Sequence, residues 1–87
     1  MTTDSKEVNP LDVEVRIIIE KTLEIDVSKL DSEANLFQKA GIDSMGMLEI
    51  VAGVEQKFKI RIHEKDFAKI ASVRSIVDLI GAYSTIA

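Results

Sequence analysis

The sequence predicts an all-α fold: a small antiparallel helical bundle of three main helices plus one short helix, with a long loop between the first two main helices. Three observations predict it. Apolar residues recur at spacings of three and four in three separate segments, the pattern of a helix with one buried face. Each segment opens on a residue suited to a helix start: Asn9, then Asp43 or Ser44, then Ser72. The 87 residues are 46% apolar, enough for one core and too many for a disordered chain.

Residues 1–8 read as a flexible polar tail and 9–87 as the helical domain. Asn9-Pro10 opens the first helix, with Asn as the cap and Pro where its missing N–H does no harm. The next residues are ambiguous, because Val13, Val15, Ile17 and Ile19 alternate with Asp12, Glu14 and Arg16 as a strand would. A helical face is formed instead by Leu11, Val15, Ile18 or Ile19, and Thr22 or Leu23. The helix is preferred because the apolar spacing continues through Leu23 after the alternation fails, although β-branched residues oppose it.

Residues 26–41 form a long polar connection with Leu30, Leu36 and Phe37 as inward anchors. Such loops are uncommon in compact domains and tend to be functional or pinned. Leu48, Val51, Val54 or Glu55, and Phe58 then predict a helix over 44–58. Lys57, Lys59 and Arg61 alternating with Phe58, Ile60 and Ile62 predict a short extended exit. "EKDFAKIAS" allows a turn or two of helix capped by Asp66, and Ser72 caps a last helix with Val73, Ile76, Val77 and Ile80 on one face. Tyr83 follows one turn on, and Gly81 is expected to loosen the helix end.

Composition excludes several functions. Without Cys there is no disulfide frame, thiol nucleophile or thiolate metal site. The polar N-terminus lacks the apolar core of a signal peptide, and no apolar run is long enough to enter a bilayer as a spanning helix, so the chain reads as cytoplasmic. Residues 1–56 hold twelve acids and five bases, and residues 57–87 hold three acids and six bases, leaving the whole at −4. That balance, with no interleaved aromatics around "KFKIRIHEK", opposes nucleic-acid binding. A serine nucleophile needs a base and an orienting group, and His63, the only histidine, lies in a charged exit segment and reads as a surface residue. "GIDSMG" is not the G-x-S-x-G elbow, since Ser44 comes one place late. Asp26, Asp31 and Glu33 lack the spacing of a calcium loop, so no metal site is expected.

What remains is "AGIDSMGMLEI", with Ser44 at a helix N-terminus, where free N–H groups and the helix dipole favour a phosphate ester on its hydroxyl. The plainer alternative is a helical interaction module without a prosthetic group, in which Ser44 or Asp43 merely caps the helix.

Residues 11–83 resemble an acyl carrier protein. The resemblance rests on "GIDSM", which matches the family's G-x-D-S-[LM] attachment motif, on the "NLFQKAG" approach, on Glu49, Val51, Phe58 and Ile62, and on the "IASVRSIVDLI" ending. It implies that Ser44 receives 4′-phosphopantetheine from coenzyme A through a separate phosphopantetheinyl transferase, with Asp43 contacting that enzyme or its metal. The chain would then be a non-enzymatic carrier and a monomer, shuttling acyl thioesters for fatty-acid, polyketide-like or specialised lipid synthesis. Its partners would be acyl synthetase, ketosynthase or acyltransferase enzymes with basic docking patches. Met45, Gly46, Met47, Glu49 and Glu55 are the docking candidates. Leu48, Val51, Val54, Phe58, Ile70 and Ile76 are the candidates for lining an acyl chain. Gly46, Gln56, Lys57 and Ala40 depart from the usual pattern and, with basic residues 57–65, favour a specialised carrier over a housekeeping one. Gly46 and Gly53 cost helix stability, and are expected to loosen the helix or to admit a partner's backbone.

Overall fold

In the computed structural model, which describes residues 9–84, the chain is helical, with no strand among the described residues. Helix α1 spans Pro10–Leu23, a one-turn helix α2 spans Leu36–Lys39, α3 spans Ser44–Phe58, a 3-10 helix spans Glu64–Lys69 and α4 spans Val73–Ser84. The expected tail at residues 1–8 lies outside the described residues. None of the described helices is long and apolar enough to cross a membrane.

The ambiguity in α1 resolves as its start and end signals suggest. The Asn9 side chain accepts from Leu11 N at 2.8 Å, and the helix stops where Glu24 turns left-handed (φ 57°). Val15 and Ile19 are fully buried, whereas Val13 and Ile17 stand on the outer face. The alternation was therefore a helix with one broad inner face, which Leu11, Ile18 and Leu23 extend as partly buried neighbours.

Helix α1 packs on both α3 and α4. Leu23 lies beside Gly46, Ile18 beside Gly53, and Glu14 pairs with Lys57 at 3.6 Å, so α1 and α3 run antiparallel. Ile50, Val51 and Val54 of α3 and Val73, Ile76, Val77 and Ile80 of α4 complete the core. Ile62 and Ile70 close it from the α3–α4 connection.

The long connection is more ordered than its polar composition suggests. Leu36 is a buried anchor as expected and Leu30 is half-buried, but Phe37 is 39% exposed, and Val27 and Ile42 are the further inward residues. The connection contains helix α2, which apolar spacing cannot reveal in four residues; Asn35 caps it by accepting from Gln38 N at 2.9 Å. Leu36 N donates to Ala71 O at 2.7 Å and Arg74 N to Ser32 O at 2.8 Å, so the loop is bonded to the start of α4. On its other side Arg16 donates to Asp12, to Val27 O at 2.6 Å and to Ser32 Oγ at 2.9 Å.

The short helix differs from expectation in its cap. It is a 3-10 helix entered from His63 without a side-chain cap, and Asp66 lies inside it, buried. The Tyr83 hydroxyl donates to Asp66 Oδ2 and accepts from His63 N at 2.8 Å, and Lys69 approaches the same carboxylate at 3.1 Å. The Tyr83 hydrogen bond, aided by that of Lys69, holds Asp66 below the usual carboxylate range, and the same bond to Asp66 raises the Tyr83 phenol. Ser72 does cap α4, accepting from Ser75 N at 3.1 Å while Ser75 Oγ accepts from Ser72 N at 2.9 Å.

Gly81 does not loosen α4, which continues regularly through it to Ser84. A Cβ there would meet nothing within 4 Å, so Gly81→Ala is expected to gain about 0.5–1 kcal/mol through helix propensity. A Cβ at Gly53 would sit 2.9 Å from Ile18 Cγ2, on a stiff β-branched side chain. Overpacking of about 1–3 kcal/mol should therefore outweigh the same propensity gain in Gly53→Ala. Urea denaturation of the two variants should move the midpoint in opposite directions. Gly53 thus lets α1 and α3 approach closely and needs no partner backbone to explain it.

Candidate functional site

The site is built by the turn that enters α3. Gly41 adopts φ +68°, the left-handed conformation that glycine takes without strain, and this reverses the chain after α2. Ile42 N then donates to Leu36 O at 3.2 Å, while the Ile42 side chain is buried. With Ile42 anchored inward, Asp43 is left extended (φ −93°, ψ −178°) at the helix mouth, where its Oδ1 accepts from Gly46 N at 2.8 Å.

That bond settles which residue caps α3: it is Asp43. Ser44 is the first helical residue, exposed, and its hydroxyl has no hydrogen-bond partner among the described residues. Met47 N is taken by Asp43 O at 2.9 Å, so the first turn is closed by Asp43 alone. Ser44 therefore offers an oxygen free to react at the positive end of a 15-residue helix.

Gly46 now has its explanation. A Cβ there would stand 3.1 Å from Ile42 Cγ2, 3.3 Å from Asp43 Oδ1 and 3.4 Å from Leu23 Cδ1. The glycine is buried and lets the cap, the anchor and the end of α1 converge, so the expectation of a loosened turn or a partner's approach gives way to packing inside the protein.

The docking candidates separate in space. Met45 is 67% exposed and Glu49 is exposed, whereas Gly46 and Met47 face inward. Glu55 is half-buried and accepts from Ile62 N at 2.9 Å, fastening the exit from α3. Of the acyl-lining candidates, Val51, Val54, Ile70 and Ile76 are core residues and Phe58 is partly buried against them. Leu48 departs from that group: it is 50% exposed, so it does not line the interior.

Leu48 instead borders a surface cleft of about 270 Å³ shared with Phe37, Ser44, Met47, Phe67 and Ala68. Sequence reasoning did not place Phe37 or Phe67 here. The available signal was the adjacent pair Leu36-Phe37, since neighbouring side chains on a helix point in different directions and a single turn need not bury both. Among the described residues, no group of three or more His, Asp or Glu side chains gathers to hold a metal ion.

The fold and site define a small helical domain that presents an exposed serine at the mouth of a helix, with an apolar cleft beside it. Residues 13–80 match the family model described as "Phosphopantetheine attachment site". The chain is 33% identical over 66 residues to an acyl carrier protein of Thermotoga maritima, covering 76% of this chain and 82% of that one. It is 27% identical over 67 residues to an acyl carrier protein of Campylobacter jejuni strain RM1221, covering 77% and 87% respectively. The chain belongs to the acyl carrier protein family, whose members are carriers rather than enzymes and bear 4′-phosphopantetheine as prosthetic group.

Proposed function

We propose that Ser44 bears the 4′-phosphopantetheine arm and that the protein shuttles acyl groups, held as thioesters on that arm, between enzymes of a specialised pathway. The observation that carries this reading is the division of labour at the helix mouth: Asp43 makes the cap, and the neighbouring hydroxyl is left exposed. In the transfer, Ser44 Oγ bonds to the phosphorus of coenzyme A next to the pantetheine. The pyrophosphate P–O bond breaks, 3′,5′-ADP leaves, and the serine proton passes to a base of the transferase. Mg²⁺ on that enzyme would neutralise the developing charge. Once attached, the arm supplies the thiol that this cysteine-free chain lacks, and tethering raises the local concentration of the acyl group at each docked enzyme.

Met45 and Glu49, exposed beyond Ser44, suit weak, reversible docking. A specialised pathway is favoured by the mixed charge of the surface. Lys59, Arg61 and Lys65 are exposed and take part in no ion pair among the described residues, so the surface offers cations as well as the Glu49 carboxylate. Incubation with coenzyme A and a broad-specificity phosphopantetheinyl transferase should raise the intact mass by one phosphopantetheinyl group, and Ser44→Ala should abolish the gain. An unchanged mass in the unmodified chain would refute the proposal. Efficient elongation of the acylated protein by every ketosynthase of ordinary fatty-acid synthesis would refute the specialised assignment alone.

A further inference from the structure

Helix α1 has an outer face that the bundle does not use. Its inner face packs on α3 and α4, yet Val13 and Ile17, one turn apart, stand outside that packing and are each 39% exposed. They lie in an open groove of about 410 Å³, lined by Asp12, Val13, Arg16, Ile17 and Glu20 of α1 and by Ser28 of the long connection. The groove is larger than the cleft of about 270 Å³ beside Ser44 and shares no lining residue with it. Its two walls are pinned together: Arg16 donates to Val27 O at 2.6 Å, and Glu20 Oε2 accepts from Val27 N at 3.0 Å. A partner therefore meets a groove that is already formed, which lowers the ordering cost of binding. The charge around it is one-sided. Residues 10–33, which supply both walls, hold seven acids and three bases, a net −4 that equals the charge of the whole chain, so the remaining residues sum to zero. Arg16 adds little free positive charge, because it is paired with Asp12. Glu24, Asp26, Asp31 and Glu33 are exposed, in no ion pair among the described residues, and outnumber the exposed Lys21 and Lys29.

We infer that this groove is a second docking surface and that it takes a basic amphipathic helix of a partner protein, with apolar side chains seated on Val13 and Ile17 and lysine or arginine on its flanks. A helix suits the site because the two apolar contacts stand at i and i+4 along α1, a ridge of the kind that packs into the groove of another helix. Flanking cations answer the −4 of the walls, which steers encounter and fixes orientation. The same field repels a second copy of α1, an anionic lipid surface and a nucleic-acid backbone. A helix seated here leaves the serine uncovered: Glu14, next to Val13, pairs with Lys57, near the end of α3 that lies opposite Ser44. One protein can thus hold the carrier while Ser44 serves another, and the tether raises the carrier's local concentration at that second site.

The test titrates the isotope-labelled full chain with a synthetic helical peptide of leucine, lysine and alanine, its leucines spaced by three and four along one face with lysines beside them. Amide signals in nuclear magnetic resonance should shift around residues 12–28, and the binding should weaken as ionic strength rises. Combining Val13→Ser with Ile17→Ser should raise Kd by about tenfold, with an otherwise preserved amide spectrum showing that the fold is intact. The single substitutions give the same comparison if the double variant unfolds. No binding by the unsubstituted chain, shifts centred on residues 44–49, or undiminished affinity in the substituted chains would overturn the inference. So would equal binding of a peptide with glutamate in place of lysine, or binding of vesicles of anionic phospholipid through residues 12–28. Every reading is made before arm attachment, so none of these outcomes bears on Ser44 as the attachment residue.

Discussion

Leu36→Ala is expected to lower the unfolding free energy by about 2–5 kcal/mol, the range for truncating a buried leucine. Leu36 is fully buried, yet it belongs to a four-residue helix that has no stability of its own. Its backbone N–H donates to Ala71 O at 2.7 Å, and its carbonyl accepts from Ala40 N at 3.1 Å and from Ile42 N at 3.2 Å. A cavity at this side chain would therefore release the element that sets the Gly41 turn and, through Ile42, the position of Asp43 and Ser44. Domains of this size have roughly 0.05–0.15 kcal/mol of stability per residue, so the loss is a large share of the whole. Urea denaturation at pH 7 measures it, and a change below about 1 kcal/mol would show that the site collapses without cost. Phe37→Ala, one residue on and half-exposed, should cost far less by the same assay.

The contrast between Leu36 and Phe37 also shows what could be read in the sequence. The three main helices were legible because each repeats an apolar face over a dozen or more residues and opens on a capping side chain; the exact bounds of α3, Ser44 to Phe58, follow from that repetition. The place of Ser44, exposed in the first turn of α3, was legible because Asp43 and Ser44 together read as a helix start ahead of the apolar repeat. Features decided by one contact across the fold were not legible. Asp66 looked like a helix cap because Asp often is one, but its partner is a tyrosine 17 residues away. Gly46 and Gly53 looked like losses of helix propensity, whereas Ile42, Leu23 and Ile18 fill the space that their side chains would need. Leu48 fell on the apolar repeat of α3, but the 3-10 helix leaves an open cleft there instead of covering it.

Arg16 is the largest of these unread contributions, and Arg16→Ala is expected to cost about 1.5–3 kcal/mol, the range for hydrogen bonds to a charged group. A fully buried pair would cost more, about 3–5 kcal/mol, but Arg16 and Asp12 keep 15% and 19% of their side-chain surface in contact with solvent. The guanidinium pairs with Asp12 inside α1 and links that helix to the connection through the Val27 carbonyl and the Ser32 hydroxyl, which in turn donates to Asp12 Oδ2 at 2.6 Å. Burial alone would raise the Asp12 pKa, but the hydrogen bonds from Arg16 and Ser32 and the Arg16 charge outweigh it and hold the carboxyl below its ordinary 3.8. A carboxylate with a depressed folded-state pKa contributes stability that is complete above the unfolded value and is lost as pH falls through the folded one. The difference between the unsubstituted protein and Arg16→Ala should therefore be full at pH 7 and shrink as pH drops below about 4, because a protonated Asp12 gains little from the guanidinium. Denaturation midpoints measured across that interval decide the matter. A difference that stays constant down to pH 2.5 would mean that Arg16 acts through the Val27 carbonyl and stem packing alone. In that case the link between α1 and the loop leading to Ser44 would not depend on charge.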